Sequence, residues 1–230
     1  MPKVRPFTGR RIVAGRVGGA YKPPAAGASG PAFRSISQGD SASGSFTMAV
    51  PTGTASGDQL LMFVAIEADF DGYSVGTPSA GWTLISSDDT YHPTYPSDSW
   101  RVYKRTAGSS ESTYSWSGGS AWYAGIGFVV AVSGATAVDV VGAGAHSLVA
   151  PTVTTTTSTD LLVYAVASAG SAPSITKPTA MTERANATPT PASFRVVIAT
   201  QTLTATGATG TRTAIDGADS GFTSLLIAIK

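Results

Sequence analysis

The segment from Trp122 to Val132 (WYAGIGFVVAV) sorts its residues by size with a period of two. Its even positions are large and apolar except for Ala124, whereas its odd positions are mostly small. Successive side chains of a β-strand point to opposite faces of the sheet. The pattern therefore predicts a strand whose bulky face lies in a core and whose glycine-rich face lets another layer approach closely.

Short runs of β-branched and aromatic residues, separated by Gly-, Ser- and Asp-rich turns, continue from Phe33 to the C-terminal end. This spacing is typical of sandwiches and barrels, and no helix is predicted. We predict strands at 33–37, 43–50, 60–67, 82–87, 99–106, 112–117, 122–132, 137–141, 149–156, 160–168, 181–185, 193–203, 209–215 and 222–229.

Four of these segments recur in the same order about 100 residues later. DQLLMFVAI (58–66) recurs as DLLVYAVA (160–167), and FVVAV recurs as LLIAI near the C-terminal end. TPSAGWT (77–83) recurs loosely as TKPTAMT (176–182), with Met181 in place of Trp82, and SWRV (99–102) recurs as SFRV (193–196). Such order predicts two versions of one unit, 43–133 and 149–229.

The repeat fits either two separate sandwiches or one sandwich to which both half-units contribute equivalent strands. We favour one all-β, antiparallel two-layer sandwich, jelly-roll-like, over residues 33–230, preceded by an extended arm and linker over residues 1–32. LLMFVAI and LLVYAVA are apolar on both faces. They suit either central strands that are covered on both sides or an interface between subunits.

The tryptophans are expected mostly in the core, because each would remove a large apolar area from water. In the strand 99–106, alternation places Trp100 and Val102 inward and Arg101 and Tyr103 outward. The repeat places Phe194 and Val196 inward and Arg195 outward. The full set of tryptophans is Trp82, Trp100, Trp116 and Trp122.

Charged residues make up only 13 % of the chain, and they are unevenly distributed. Seven basic residues precede the first acid, Asp40, whereas the remaining eight basic residues face 14 acidic ones, a balance of −6. This asymmetry, a basic arm on an acidic body, bears on the partners of the protein and not on its fold. The arm is interpreted either as a disordered tail or as a segment that orders on a neighbouring subunit. Its expected anchors are Arg5, Phe7, Arg10, Arg11, Ile12, Arg16, Tyr21 and Lys22.

Nucleic acid is a less favoured partner of this arm, because stacked aromatic residues are lacking. No apolar run is long enough to span a membrane, and no apolar core of a signal peptide follows the basic N-terminus. The sequence has no cysteine, so it forms no disulfide or thiolate site. We therefore expect a protein made in the cytoplasm, with no membrane partner.

The candidate catalytic residues are few. His92 and His146 are the only histidines and both fall in predicted loops. No Gly-x-Ser-x-Gly turn and no glycine-rich phosphate loop occurs in its required context, so an enzyme is not expected. No cofactor is expected either. The lesser alternative is a structural Ca²⁺ on acid-rich loops, at Glu67, Asp69 and Asp71, at Asp88 and Asp89, or at Asp216 and Asp219.

One predicted loop is rich in aromatic residues. Tyr91 and Tyr95 lie in the sequence YHPTYP, with Tyr73 nearby in the chain. Tyrosine rings beside Asp89 or Asp98 could stack on a sugar and hydrogen-bond to it. The alternative is that prolines stiffen the loop and the rings pack within it.

Three sequence runs together resemble β-sandwich proteins of tailed-bacteriophage virions, of the minor tail and capsid-decoration type. They are P-x-G-x-x-x-G-D-x-L-L (51–61), P-x-x-G-W-T (78–83) and W-R-V-Y-x-R (100–105). The resemblance covers about residues 45–230 and implies a structural or adhesive module without catalytic residues. We expect a homo-oligomeric virion protein that contacts other virion proteins through its arm. The alternative is a module that binds glycans of the host surface.

Overall fold

The computed structural model describes residues 30–68, 74–89, 99–117, 119, 122–168, 174–190, 194–216 and 222–230. These residues form β-strands and no helix. The strands of the first part of the chain are β1 (Ala32–Ser41), β2 (Phe46–Ala49), β3 (Gln59–Ala68), β4 (Thr77–Pro78), β5 (Thr83–Asp88), β6 (Ser99–Thr106), β7 (Thr113–Ser117) and β8 (Trp122–Ser133).

The second part of the chain contributes eleven strands to the described structure. They are β9 (Val138–Val141), β10 (Val149–Ala150), β11 (Thr154–Thr155), β12 (Leu161–Ser168), β13 (Ile175–Thr176), β14 (Thr182–Ala187), β15 (Arg195–Thr202), β16 (Gly207–Ala208), β17 (Arg212–Thr213), β18 (Ile215–Asp216) and β19 (Phe222–Ile229).

Two five-stranded antiparallel sheets dominate the fold. The first sheet has the order β1-β8-β3-β6-β5, and the second, counted from β9, has the order β9-β19-β12-β15-β14. Each sheet therefore takes its strands from one continuous part of the chain. The prediction of an all-β, antiparallel sandwich is confirmed, whereas the jelly-roll-like arrangement and the two half-units are not confirmed by this topology.

The two sheets face each other across one shared apolar core, which we call the inner core. Phe63, Trp100 and Phe128 are its largest side chains from the first sheet, and Phe194 is the largest from the second. Phe33 of β1 contacts Arg184 of β14, so these two edge strands lie across from each other. Residues from both parts of the chain therefore meet at the centre of the molecule.

Each large sheet is also covered on its outer face. The three-stranded sheet β2-β7-β4 covers the first sheet over a first outer core, and the pairs β10-β17 and β13-β18 cover the second sheet over a second outer core. Alternate residues of β3 and β12 consequently enter two different cores, and their burial is nearly complete from Leu60 to Ile66 and from Leu161 to Ala167. Of the two interpretations of these strands, coverage on both sides within the chain is confirmed.

The size-sorted segment forms β8, and its two faces behave as predicted. Ala124, Ile126, Phe128 and Val130 lie in the inner core. On the other face, a Cβ atom added to Gly127 would lie 2.5 Å from the ring of Phe46 in β2. The glycine therefore allows the covering layer to pack directly against the backbone of the sheet.

Some local predictions need correction. Tyr103 is buried in the first outer core because a second layer covers the face that alternation alone assigns to solvent. Val196, rather than Phe194, occupies the register position of Trp100, since Trp100 pairs with Ala65 and Val196 pairs with Ala167. Among the tryptophans, Trp100 and Trp116 are buried and Trp82 is half-buried, while the side chain of Trp122 is outside the described structure.

Candidate functional site

The residues predicted from the sequence to anchor the protein or to bind glycans fall outside the described residues. All anchors of the arm precede Gly30, the first described residue. They are Arg5, Phe7, Arg10, Arg11, Ile12, Arg16, Tyr21 and Lys22. Tyr73, Tyr91 and Tyr95 belong to the segments 69–73 and 90–98, which are also outside it, as is His92.

The strand ends that flank these tyrosines lie together at one end of the sandwich, which we call the loop end. Ile66, near the end of β3, pairs with Ser99 at the start of β6, and Asp88 at the end of β5 pairs with Trp100. In the second sheet, Ser168 pairs with both Arg195 and Phe222, so the ends of β12, β15 and β19 also meet. The backbone N–H of Thr190 donates a hydrogen bond to Asp40 Oδ2, so the two sheets have these strand ends on the same side of the sandwich.

At the loop end, Asp88 connects the two sheets. The carboxylate oxygen Oδ2 of Asp88 accepts a hydrogen bond from Thr223 Oγ1 at 3.0 Å, and it lies 3.0 Å from His146 Nε2. His146 is about half exposed, with 52 % of its side chain accessible. The histidine and the threonine therefore share one acceptor oxygen, which joins both of them to the end of β5.

Asp89 is also engaged rather than freely solvated. Its Oδ1 accepts a hydrogen bond from Ser99 Oγ at 3.0 Å and forms an ion pair with Arg101 Nη1. Asp88 and Asp89 therefore brace the end of β5 against β6 and β19. Glu67 lies near the same end, whereas Asp69, Asp71 and Asp219 are outside the described residues.

The opposite end of the sandwich carries two charged clusters that the sequence analysis did not identify. In the first sheet, Arg34 is the extra residue of a β-bulge between Phe33 and Ser35. Its Nε lies 2.7 Å from Asp58 Oδ2 and its Nη2 donates to Oδ1 at 3.2 Å. Asp58, at 5 % exposure, also accepts the Ala55 N–H at 2.8 Å, so this carboxylate ties β1 to the turn that precedes β3.

The second cluster joins two acidic residues and a lysine. Asp139 is the bulge residue of β9, and its carboxylate lies 2.8 Å from Lys230 Nζ and accepts the Thr156 N–H at 2.7 Å. Asp160, fully buried just before β12, accepts a hydrogen bond from Thr157 Oγ1 through Oδ1. Its Oδ2 has no donor among the described residues. A proton on Asp160 removes this deficit, because the protonated carboxyl can be shared with Asp139.

The titration of these two acids differs for physical reasons. Burial, and then the neighbouring Asp139 carboxylate, raise the pKa of Asp160 to about 6. Burial would also raise the pKa of Asp139, but hydrogen bonds from Lys230 and Thr156 outweigh it and hold that pKa well below its usual range. Asp160 is therefore the acid of this pair that takes up a proton first as the pH falls, while Asp139 keeps its charge beside Lys230.

A repeated feature of the sequence could have pointed to these clusters. Asp58 and Asp160 each precede a doubly apolar strand, and an acid at such a place must find a partner. The partners themselves could not be found, because Arg34 and Asp139 reach the acids only through bulges. Among the described residues, no three or more His, Cys, Asp or Glu side chains lie close enough together to hold a metal ion.

Within the described part of the chain, no helix is long and apolar enough to cross a membrane. Comparison of the chain with models of protein families, with curated proteins and with solved structures found no match.

Proposed function

We propose that the protein is a non-enzymatic structural protein of a tailed-phage virion, of the minor tail or capsid-decoration type, anchored by its basic N-terminal arm. The observation that carries this proposal is the coverage of the body. Among the described residues, only Leu84, Val149 and Ile215 are large hydrophobic side chains left exposed. The described body thus offers no broad apolar face for attachment, which favours attachment to a particle through another segment.

The arm is the segment with the chemistry for this attachment. It carries six basic residues and no acidic one, together with the apolar residues Phe7, Ile12 and Tyr21. Ordering such a segment costs about 1–2 kcal/mol per residue in backbone entropy, so several contacts per copy and many copies per particle are needed. Other virion proteins, arranged in a symmetric ring or lattice, would provide them.

A deletion tests this role. Removal of residues 2–29 keeps Gly30, which lies against Thr159, and Ala32, which pairs with Ser133. We expect the shortened protein to have the same free energy of unfolding as the full chain. It should nevertheless be lost from purified particles. A second variant, in which Arg5, Arg10, Arg11 and Arg16 are replaced by glutamine, separates charge from length. Undiminished incorporation of the shortened protein into particles would contradict the role of the arm.

We also propose that the two parts of the chain are versions of one unit, as the sequence repeat predicts. This proposal is supported by the matching orders of the two sheets and by bulges at matching places, at Arg34 and Asp139 and again in β5 and β14. A doubled unit provides a rigid, compact body from a short genetic repeat, a useful property for a surface protein of a particle.

The second candidate function is adhesion to host-surface glycans. It is supported by the gathering of strand ends at the loop end, since Ala68, Asp89 and Ser99 flank the segments that contain Tyr73, Tyr91 and Tyr95. Loops held by the end of a rigid sandwich are a common place for recognition. The double variant Tyr91→Ala and Tyr95→Ala should lose binding to host cell walls, and the exposed-site variant Leu84→Ala should retain it. Absence of cell-wall binding by the unaltered protein would end this candidate.

A further inference from the structure

A polar groove opens between the two sheets at the end opposite the loop end. It has a volume of about 290 Å³ and lies between the first sheet and the connection from β8 to β9. Gln59, Thr83, Lys104 and Thr106 line it from the first sheet, Thr136 lines it from the connection, and Val138 lines it from the start of β9. The inner core ends here, because the same faces of β3 and β6 change from Leu61 and Val102 to polar residues.

Lys104 is the chemically distinctive residue of this groove. It is half-buried on β6, between Leu61 of β3 and Thr83 of β5. Within the described structure, no hydrogen bond or ion pair engages its ammonium group. The Gln59 side chain, which is nine-tenths buried, donates to Thr106 Oγ1 at 3.0 Å and so has its amide held in place. The groove therefore combines one uncompensated cation with fixed hydrogen-bonding groups.

At the corresponding position of the second sheet, side chains occupy the space that is open in the groove. Thr200 occupies the register position of Lys104, since Thr182 pairs with Thr200 as Thr83 pairs with Lys104. There, Arg184 donates through Nε to Thr200 Oγ1 at 2.8 Å and stacks over the ring of Phe33 at 4.0 Å. The guanidinium group of Arg184 is thus already engaged by other side chains of the fold, whereas the ammonium group of Lys104 is not.

Beside the groove, the residues that match Phe33 and Arg184 are a smaller residue and an apolar residue. Val138 stands where Phe33 stands, because each precedes the bulge of its edge strand. Ile85 stands where Arg184 stands, as the bulge residue of β5. The space that Arg184 and Phe33 occupy on one side is consequently open on the other, and the free cation lies beside it.

We propose that this groove binds an anionic sugar group, in which a carboxylate or phosphate meets Lys104 and neighbouring hydroxyls meet Gln59 and the threonines. A lysine is a suitable point charge for phosphate or carboxylate. Threonine hydroxyls and a glutamine amide both donate and accept, as sugar hydroxyls require. At about 290 Å³ the groove lies at the lower end of the range of ligand pockets, which suits a ligand as small as one sugar unit.

This inference does not rest on the role of the arm or on the tyrosines at the loop end. The proposal is tested by titrating the full chain with glucuronate, glucose 6-phosphate, glucose and inorganic phosphate and measuring binding by calorimetry or NMR. We expect saturable binding of at least one anionic sugar, and weaker binding of glucose and of inorganic phosphate. Preference for glucuronate identifies a carboxylate ligand, and preference for glucose 6-phosphate identifies a phosphate ligand.

Two variants locate the site. Lys104→Met should weaken binding by on the order of tenfold or more, because it removes a charge-assisted contact. Val138→Phe should block the groove, because it places a ring where Phe33 of β1 stands at the matching bulge. Lys177→Met makes the same change of charge elsewhere and should bind like the unaltered protein. The proposal is overturned if neither anionic sugar binds, if inorganic phosphate binds equally well, or if Lys104→Met binds undiminished.

Discussion

Arg34 and Asp139 occupy the same bulge position in the edge strands of the two sheets, although one is a cation and the other an acid. Arg34 follows Phe33, which pairs with Val132, and Asp139 follows Val138, which pairs with Ile229. Each bulge residue reaches the aspartate that precedes the central strand of its own sheet. The first sheet thereby contains an ion pair, and the second contains a pair of acids that needs a proton and Lys230.

The acid pair predicts an unusual dependence of stability on pH. Because the pKa of Asp160 is raised to about 6 from 3.8, the folded protein keeps a proton in this interval that the unfolded chain releases. The free energy of unfolding should therefore fall as pH rises from about 4 to 6. Asp160→Asn, which keeps a neutral donor beside Asp139, should remove most of this fall. Denaturant unfolding at several pH values measures it.

Asp139→Asn serves as the comparison for that experiment. It removes the carboxylate that faces Asp160 and should make the fall between pH 4 and 6 smaller. The low pKa of Asp139 acts in the opposite direction, since the stability that it provides is lost as pH falls below about 3.8. An equal slope between pH 4 and 6 in the unaltered protein and in Asp160→Asn would show that Asp160 does not retain its proton.

The ion pair of the first sheet predicts a different result. Arg34→Met leaves the buried carboxylate of Asp58 without its cation and should cost about 1–3 kcal/mol. The double variant Arg34→Met and Asp58→Asn removes the unpaired charge and should recover part of that loss. A double-mutant cycle on the free energy of unfolding measures the coupling, and additive losses would contradict a direct interaction.

The contact of β2 with the first sheet depends on Gly39, which pairs with Gly127. A Cβ atom at residue 39 would lie 2.1 Å from the backbone oxygen of Thr47, which cannot move without displacing β2. Gly39→Ala should therefore destabilise the protein by about 1–3 kcal/mol. Gly108→Ala is the matched control, since its added Cβ would lie no closer than 3.4 Å to Glu111. Thermal unfolding that is equal for both variants would contradict the close approach.

Trp100 should be the most costly aromatic residue of the inner core to truncate. It is 1 % exposed and its ring centroid lies 5.9 Å from that of Phe63. Trp100→Ala should cost about 3–5 kcal/mol in the free energy of unfolding. Its Nε1 makes no hydrogen bond within the described structure, so Trp100→Phe loses only part of the buried volume and should cost less than Trp100→Ala. Equal losses in the two variants would contradict this packing.

The sequence predicted the elements of this fold well because burial imposes a simple period on strands. The segments 122–132 and 222–229 and the doubly apolar segments around Phe63 and Tyr164 all become central strands. The prediction failed for the two-residue strands at Thr77 and Ile175, which are too short to show any period. It also failed for Tyr103, whose face is covered by a layer that is distant in sequence.

The charged clusters and the groove could not be predicted, because they depend on bulges and on how the sheets are placed. A bulge changes the side to which one residue points, so Arg34 and Asp139 leave the alternation that the sequence suggests. The groove beside Lys104 exists because Val138 and Ile85 are small or apolar where the other side has Phe33 and Arg184. That comparison requires the pairing register of both sheets.

The two sheets of one sandwich should unfold as a unit, and Leu226→Ala probes this coupling. Leu226 is fully buried in the second outer core, on the face of the second sheet that points away from the first, whereas all four tryptophans precede residue 123. The variant should lose about 2–5 kcal/mol. We predict that denaturant unfolding followed by tryptophan fluorescence shifts by the same amount as unfolding followed by circular dichroism. An unchanged tryptophan transition would contradict the shared sandwich.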